Sequence, residues 1–171
     1  MMKIHSLVIL STWFAMGLTA FALSKNEASF VTQAAGGNLA EIKLGQLAAQ
    51  KGTDPKVKDF GNLMIEDHTT ANNNLKPIAD ASGIKWPDSP PQDAQATYDR
   101  LSKLSGDQFD HQFVDVMVKD HRMVAQLYEQ ELGKASDPKL KTYISNTLPV
   151  VHSHLQHAES IEKSPSKKKP S

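Results

Sequence analysis

The sequence lacks cysteine entirely and has no excess of charge of either sign. Its 171 residues include 19 Lys and Arg residues against 19 Asp and Glu residues, and no Cys. The absence of cysteine excludes disulfides, thiolate metal sites, iron–sulfur clusters and a lipid-modified N-terminal cysteine. Zero net charge leaves no basic face for nucleic acid, which is therefore not an expected partner. Any site chemistry must use histidine, carboxylates or methionine.

Long apolar runs are also scarce, because only the N-terminal segment contains one. Lys3 precedes an apolar stretch from Leu7 to Leu23, and Ala20-Phe21-Ala22 has the small-x-small pattern that signal peptidase reads. We interpret residues 1–22 as an export signal and expect a periplasmic protein. An uncleaved anchor is the alternative, since the run approaches the roughly 18–20 residues that span a membrane. Residues 23–163 then form one domain without a membrane span, and residues 164–171 form a disordered basic tail.

The rest of the chain shows apolar residues at three- and four-residue spacing, which predicts helices. Four long helices are expected, at about residues 29–52, 55–81, 108–133 and 138–163. The second and fourth follow Asp-Pro pairs, which combine an N-cap residue with a first-turn proline. Between the second and third lie a Pro-rich linker over residues 82–91 and a short amphipathic helix around Tyr98.

The two halves of the chain resemble each other. When Asp54-Pro55 is aligned with Asp137-Pro138 without gaps, eight of the 29 positions from 30 to 58 are identical to their counterparts. We interpret this as a duplicated helical hairpin, with independent use of the same loop as the alternative. Two hairpins bury their apolar stripes by packing as a four-helix bundle, so the expected fold class is all-α. The linker is long enough for either a simple return or a crossover along the bundle.

Histidines lie on the apolar stripes of three predicted helices. His68 and His121 each end a Met-aliphatic-x-Asp-His motif, on two different helices, and His154 shares its helix face with Val151 and Ala158. A buried imidazole without partners costs on the order of 1–3 kcal/mol per polar group, so a carboxylate, a water or a metal must meet it.

A glutamate on the first helix completes the candidate site. Glu41 lies on the apolar stripe, and Asp54 is almost midway along the chain between Glu41 and His68. Asp137 is likewise almost midway between His121 and His154. All four are near helix midpoints, so we expect one Glu and three His, one from each helix, to converge at mid-bundle.

This set of donors suits one transition metal, such as zinc, iron, copper or manganese, rather than calcium or magnesium. The alternative is a metal-free polar network that fixes helix register. Asp67 and Asp120 are candidates for holding an imidazole of the neighbouring helix, or for surface salt bridges. Further candidate ligands are Met64 and Met117, which core filling would equally explain, and His152 and His157.

Two adjacent glycines interrupt the first helix. Gly36 and Gly37 lower its stability, which is compatible with the close approach of another helix, and the sequence assigns them no further role.

An ordered series of segments resembles a known family. The segments are Asn38 to Ala48, Val57 to Phe60, Asp67-His68, Met117 to His121, Thr147 to Pro149 and His154-Leu155. They resemble domain-of-unknown-function family 4142, an uncharacterised exported bacterial family placed among ferritin-like bundles and often labelled as outer-membrane proteins. The resemblance covers roughly Phe30 to Ala158. It implies a periplasmic four-helix bundle and supplies no substrate.

Ferritin-like proteins often hold a di-iron centre, and its ligand pattern can be tested on the residues. Such centres use a Glu on two helices and Glu-x-x-His on the other two. Glu41 fits, but the other helices offer Glu66-x-x-Thr69, His121 and Pro149-x-x-His152. Three of the four ligand sets differ, so we expect a histidine-rich mononuclear or noncanonical site instead of carboxylate-bridged di-iron chemistry.

Three functional hypotheses follow. The first is an exported bundle that binds one transition metal and serves in metal handling or envelope stress protection. The second is a metal-free structural or interaction bundle of the periplasm. The third is a redox enzyme, which would need an open coordination position on its metal.

Overall fold

The structure is a computed structural model, and it describes residues 22–164. Within this range the chain forms five α-helices and no strand: α1 (Lys25–Lys51), α2 (Pro55–Ala81), α3 (Gln92–Ser102), α4 (Gly106–Lys134) and α5 (Pro138–Glu162). The predicted all-α bundle with a short linker helix is therefore confirmed. The predicted export signal and basic tail lie outside the described residues, except for residues 22 and 164. No helix within residues 22–164 is long and apolar enough to cross a membrane.

Capping residues explain where the long helices begin. The Asp54 and Asp137 side chains accept hydrogen bonds from backbone N–H groups of α2 and α5, as the Asp-Pro pairs predict. The start of α1 was predicted one helical turn too late. Ser24 and Glu27 form a capping box, in which each side chain accepts a hydrogen bond from the other's backbone N–H, at 3.3 and 2.8 Å. The Ser-x-x-Glu pattern that forms this box is visible in the sequence.

Two buried carboxylates tie each helical hairpin to the loop of the other. Glu27, in the first turn of α1, accepts backbone hydrogen bonds of 2.7 and 2.9 Å from residues 136–137 in the α4–α5 loop. Asp110, near the start of α4, accepts backbone hydrogen bonds of 3.0 and 2.7 Å from residues 53–54 in the α1–α2 loop. The two loops therefore lie at opposite ends of the bundle, with α1 antiparallel to α4 and parallel to α5.

This arrangement decides the connectivity that the sequence left open. Because α2 ends at the opposite end from the start of α4, the linker and α3 must cross the length of the bundle, as in ferritin-like folds with one long crossover. Along this path α3 lies beside α1, where the Lys43 ammonium donates to the Gln95 side chain at 2.6 Å and the Lys51 ammonium donates to the Ser102 carbonyl.

The reciprocal carboxylate contacts also support the duplication. The gap-free alignment of the two Asp-Pro pairs places Glu27 on Asp110, and it places residues 53–54 on residues 136–137. The contact of Glu27 with residues 136–137 thus corresponds, under the repeat, to the contact of Asp110 with residues 53–54. The two hairpins are related by an approximate two-fold axis perpendicular to the bundle.

The core consists of two apolar clusters separated by a polar layer. One cluster lies toward the α1–α2 loop and includes Phe60, Phe113 and Met117, and the other lies toward the α4–α5 loop and includes Leu75 and Ile144. Between them, the long helices contribute buried polar residues to one mid-bundle layer: Asn38, Glu41, His68, Asn72, His121 and His154.

Candidate metal centre

Three histidines from three helices meet in the polar layer. His68 on α2, His121 on α4 and His154 on α5 are buried, with 7%, 2% and 1% of their surface exposed. Their ring centroids are separated by 5.3 Å (His68 to His154), 5.3 Å (His121 to His154) and 5.9 Å (His68 to His121). One ring nitrogen of each lies within 4.8 Å of one ring nitrogen of both others. The convergence expected from the positions of these residues along the chain is therefore present in the structure.

Hydrogen bonds fix the tautomer of two of these rings on their outer sides. His68 Nδ1 donates to the Asn38 side-chain oxygen at 2.9 Å, since the Asn38 amide nitrogen is itself a donor to Asn72. His121 Nδ1 donates to the Met117 backbone carbonyl at 3.0 Å. In each ring the proton is on Nδ1, which leaves the lone pair on Nε2.

The third ring is held in the opposite tautomer by an aspartate. His154 Nε2 donates to the Asp67 carboxylate at 2.8 Å, so that the lone pair of His154 is on Nδ1. This is the contact predicted for Asp67, from α2 to the neighbouring α5. A hydrogen-bond acceptor on the outer nitrogen is the arrangement that orients metal-binding imidazoles and raises their basicity.

The inner nitrogens of all three rings lack partners. His68 Nε2, His121 Nε2 and His154 Nδ1 are buried and accept no hydrogen bond within the described residues. Three lone pairs directed into one space without a donor are unfavourable, at about 1–3 kcal/mol for each unsatisfied atom. A metal cation would satisfy all three at once. In a tetrahedral site with bonds of about 2.0–2.1 Å, ligand nitrogens lie about 3.3–3.4 Å apart, so small side-chain rotations would close the set around an ion.

All three imidazoles are held in the neutral form that a metal requires. Burial lowers the pKa of His68 well below 6.5, and the neighbouring His121 and His154 lower it further. Burial and His154 lower the pKa of His121 to about 4, against a raising effect of the Met117 carbonyl. Burial also lowers the pKa of His154, although Asp67 opposes this. Protons therefore do not compete for these nitrogens at neutral pH.

Glu41 lies beside the histidine cluster and not within its set of converging atoms. It lines a cavity together with His68 and His121, and its Oε2 atom is buried without a partner within the described residues. Burial, together with the charge of Asp120, raises the pKa of Glu41 from 4.5 to about 8, so the carboxyl group is mainly protonated at pH 7. The structure thus brings three of the four predicted ligands together and places the fourth at the edge.

The orienting role predicted for Asp120 is not observed. The outer nitrogens of the three imidazoles bond to Asn38, Met117 and Asp67, and Asp120 is bonded to none of them. Burial raises the pKa of Asp120, and the charge of Asp93 adds to the effect. Its influence on the site is electrostatic, through Glu41.

The remaining candidates lie outside the cluster. Met64 and Met117 are fully buried in the apolar core, which agrees with core filling. His152 is half-buried, and its Nε2 atom lies 3.3 Å from a Glu129 carboxylate oxygen. His157 packs against the Phe60 ring, with centroids 5.0 Å apart.

Asn38, to which the sequence pattern assigned no role, lies at the centre of a hydrogen-bond network. Besides holding His68, its amide nitrogen donates to Asn72 at 3.0 Å and approaches the Tyr143 hydroxyl at 3.5 Å, which in turn contacts the Tyr128 hydroxyl at 3.2 Å. The repeat aligns Asn38 with His121. That alignment was the available signal that Asn38 faces the same layer.

Comparisons with known proteins agree with this architecture. The fold is similar to the crystal structure of a DUF305 fragment from Deinococcus radiodurans, with a TM-score of 0.73 and 14% sequence identity over 82% of this chain and 97% of that chain. At this identity the likeness concerns the fold alone. No curated protein matches the chain. The family model for a domain of unknown function, DUF4142, matches residues 17–161, and the chain belongs to that family.

Proposed function

We propose that this protein binds one transition-metal ion through His68 Nε2, His121 Nε2 and His154 Nδ1. The observation that carries the proposal is that these three buried nitrogens have no hydrogen-bond partners within the described residues, while each opposite nitrogen donates to an oxygen. One ring nitrogen of each histidine also lies within 4.8 Å of one ring nitrogen of both others. Imidazole nitrogens suit zinc, copper and iron, and manganese prefers oxygen ligands. With Glu41 at the edge of the set, the donors favour the first three metals.

The proposed role is metal handling or stress protection in the bacterial envelope. A site enclosed by four helices, with neutral ligands at pH 7, suits retention of an ion more than rapid exchange. Export to the periplasm is part of this proposal and rests on the apolar segment and Ala20-Phe21-Ala22. Export is tested by fractionation of cells that express the full chain. The mass of the purified protein then shows whether the N-terminal segment has been removed.

A metal-free bundle remains the second candidate, and the Asn38 network favours it. The chain of contacts from Asn38 to Asn72, Tyr143 and Tyr128 is buried and self-contained, and such networks fix helix register. This network accounts for the outer nitrogen of His68. It does not reach the inner nitrogens of the three imidazoles, which is why we place metal binding first.

Metal content and thermal stability together test the proposal. The protein is purified from the periplasm without a His tag or chelator, and metal is measured by elemental analysis before and after chelation. We expect close to one ion per chain, and a fall in melting temperature when it is removed.

Matched variants locate the ion. His68→Ala and His121→Ala should abolish binding, whereas His152→Ala, on the half-buried residue that pairs with Glu129, should retain it. A metal-free protein that gains no stability from added zinc, copper or iron would refute the proposal and leave the interaction bundle.

A further inference from the structure

A narrow cavity lies between α1 and α4 and ends at the histidine cluster. Its volume is about 60 Å³, and its lining runs from the exposed Gln33 to the buried Glu41, His68 and His121. A water molecule needs roughly 10–15 Å³ of such space, so the cavity can hold a molecule of a few atoms. It therefore offers a path from the surface to one side of the proposed metal ion.

The walls of this path are apolar. Ala34 on α1 faces Val124, Leu127 and the Tyr128 ring on α4. Ions and strongly hydrated molecules lose favourable solvation in such surroundings, whereas small uncharged molecules lose little. At the inner end the polar groups are two imidazoles, the Asn38 amide and Glu41, whose buried Oε2 atom has no partner within the described residues.

Gly37 lies on the same wall, and helix packing does not explain it. A glycine inside a helix costs about 1 kcal/mol relative to alanine, and this is usually compensated by close packing. A Cβ atom on Gly45 or Gly61 would lie 2.7 or 2.6 Å from a carbonyl oxygen of the facing helix, and one on Gly36 would touch Pro91 at 3.3 Å. A Cβ atom on Gly37 would meet nothing within 4 Å, and Gly37 is one of the residues that line the cavity.

We propose that this cavity binds a small uncharged diatomic molecule, of the class of nitric oxide, carbon monoxide or dioxygen. The molecule passes Gly37 and occupies the metal's fourth coordination position, beside Glu41. This inference rests on the proposed metal site. Three histidine nitrogens would supply three of the four ligands of a tetrahedral ion, and a position without a protein ligand is where metals take exogenous ligands.

The test uses Co(II) as a spectroscopic substitute in the chelated full-length protein, with nitric oxide as the probe under anaerobic conditions. We expect Co(II) to give a visible spectrum typical of histidine coordination, and nitric oxide to change that spectrum saturably. Gly37→Leu should leave Co(II) affinity unchanged and lower the affinity or association rate for nitric oxide by about tenfold or more, because the side chain fills the path.

Gly133→Leu is the matched control. Gly133 is also a helical glycine whose added Cβ would meet nothing within 4 Å, but it lies near the end of α4 and does not line the cavity. It should bind nitric oxide like the unmodified protein. Circular dichroism checks that both variants fold.

A second measurement separates the two proposals. Xenon is uncharged and needs no metal, so chemical shifts of the Val124 and Leu127 methyl groups under xenon pressure report entry into the metal-free protein. Co(II) binding without any response to nitric oxide would overturn the cavity inference and leave the metal site intact. Failure to bind Co(II) would refute the metal site. If, in addition, xenon did not shift these methyl signals in the unmodified protein, or shifted them equally in Gly37→Leu, the cavity inference would be refuted as well.

Discussion

Replacing His121 with leucine should stabilise the metal-free protein. The His121 ring is 2% exposed, and its Nε2 atom is buried without a partner within the described residues. Its Nδ1 atom donates to the Met117 carbonyl. This carbonyl lies inside α4 and also accepts a hydrogen bond from the backbone N–H four residues further on. Removing the imidazole therefore leaves no acceptor unpaired. Leucine fills a similar volume and removes an unsatisfied atom that costs about 1–3 kcal/mol.

The size of the effect should depend on pH. The pKa of His121 is lowered from 6.5 to about 4 in the folded protein. Below pH 6.5 the His121 imidazole is therefore protonated in the unfolded chain but neutral in the folded protein, and the native protein loses stability as the pH falls toward 4. At pH 5 this loss is about 2 kcal/mol, and His121→Leu does not suffer it. The advantage of the variant should thus grow from about 1–3 kcal/mol at pH 7 to about 3–5 kcal/mol at pH 5.

Thermal unfolding of the chelated proteins provides the assay. The gain at pH 7 corresponds to a rise in melting temperature of roughly 3–10 °C for a domain of this size. With metal the order should reverse, because an ion at about 1,000 times its dissociation constant adds about 4 kcal/mol to the native protein and nothing to the variant. His152→Leu should change either value by no more than about 0.5 kcal/mol. If metal-free His121→Leu is less stable than the native protein, the imidazole is a net stabilising part of the core and the reasoning is wrong.

Three further predictions concern the framework of the site. Glu27→Gln should lower stability by about 1–2 kcal/mol at pH 7, after allowance for solvent screening. Although burial raises the pKa of Glu27, hydrogen bonds from the backbone of Asp137 and from Ser24 lower it overall, from 4.5 to about 2. In urea titrations, the difference in unfolding free energy between the native protein and Glu27→Gln should therefore vanish as the pH falls from 4.5 to 2. A difference that stays constant over this range would contradict this cause. Gly61→Val should destabilise the protein by about 3 kcal/mol or more, since an added Cβ would lie 2.6 Å from a carbonyl oxygen of α1. Gly37→Ala should instead stabilise it by up to about 1 kcal/mol, because alanine favours the helix and its Cβ would meet nothing within 4 Å. Equal effects of the two substitutions in chemical denaturation would exclude the packing explanation. Asn38→Ala should weaken metal binding by about 10–100-fold in chelator competition by releasing the His68 ring, and unchanged affinity would show that Asn38 does not position it.

The helices and the depth of the histidines could be predicted because both depend on local chain geometry. Asp-Pro pairs fix where α2 and α5 begin, and the fixed rise of a helix then places His68 and His154 at known distances from the bundle end. The spacing from Asp137 predicts the same level for His121 and His154, and their positions near the helix midpoints bring them close to His68. Position along a helix axis therefore transfers directly from sequence to structure.

Rotation about the axis and the route of the linker could not be predicted in this way. Glu41 lies on an apolar stripe, but the stripe is wide, and only helix packing decides that its carboxyl group lines the cavity and stays outside the set of ring nitrogens. Asp120 and Asp67 occupy the same position of the Met-aliphatic-x-Asp-His motif, yet only Asp67 forms a hydrogen bond with an imidazole of a neighbouring helix. The crossover depends on the contacts that Glu27 and Asp110 make with loops that are distant from them in the sequence.

The duplication relates only the framework of the site, because the repeat aligns His68 with Val151 and His154 with Ala71. The approximate two-fold axis exchanges α1 with α4, and the repeat aligns His121 with Asn38, so a symmetric protein would carry a histidine at position 38. The amide found there donates to Asn72 and accepts from His68, so it holds a neighbouring imidazole instead of binding an ion. Among the described residues, α1 thus adds no imidazole to the cluster, and it borders the cluster through the cavity that Gly37 and Glu41 line.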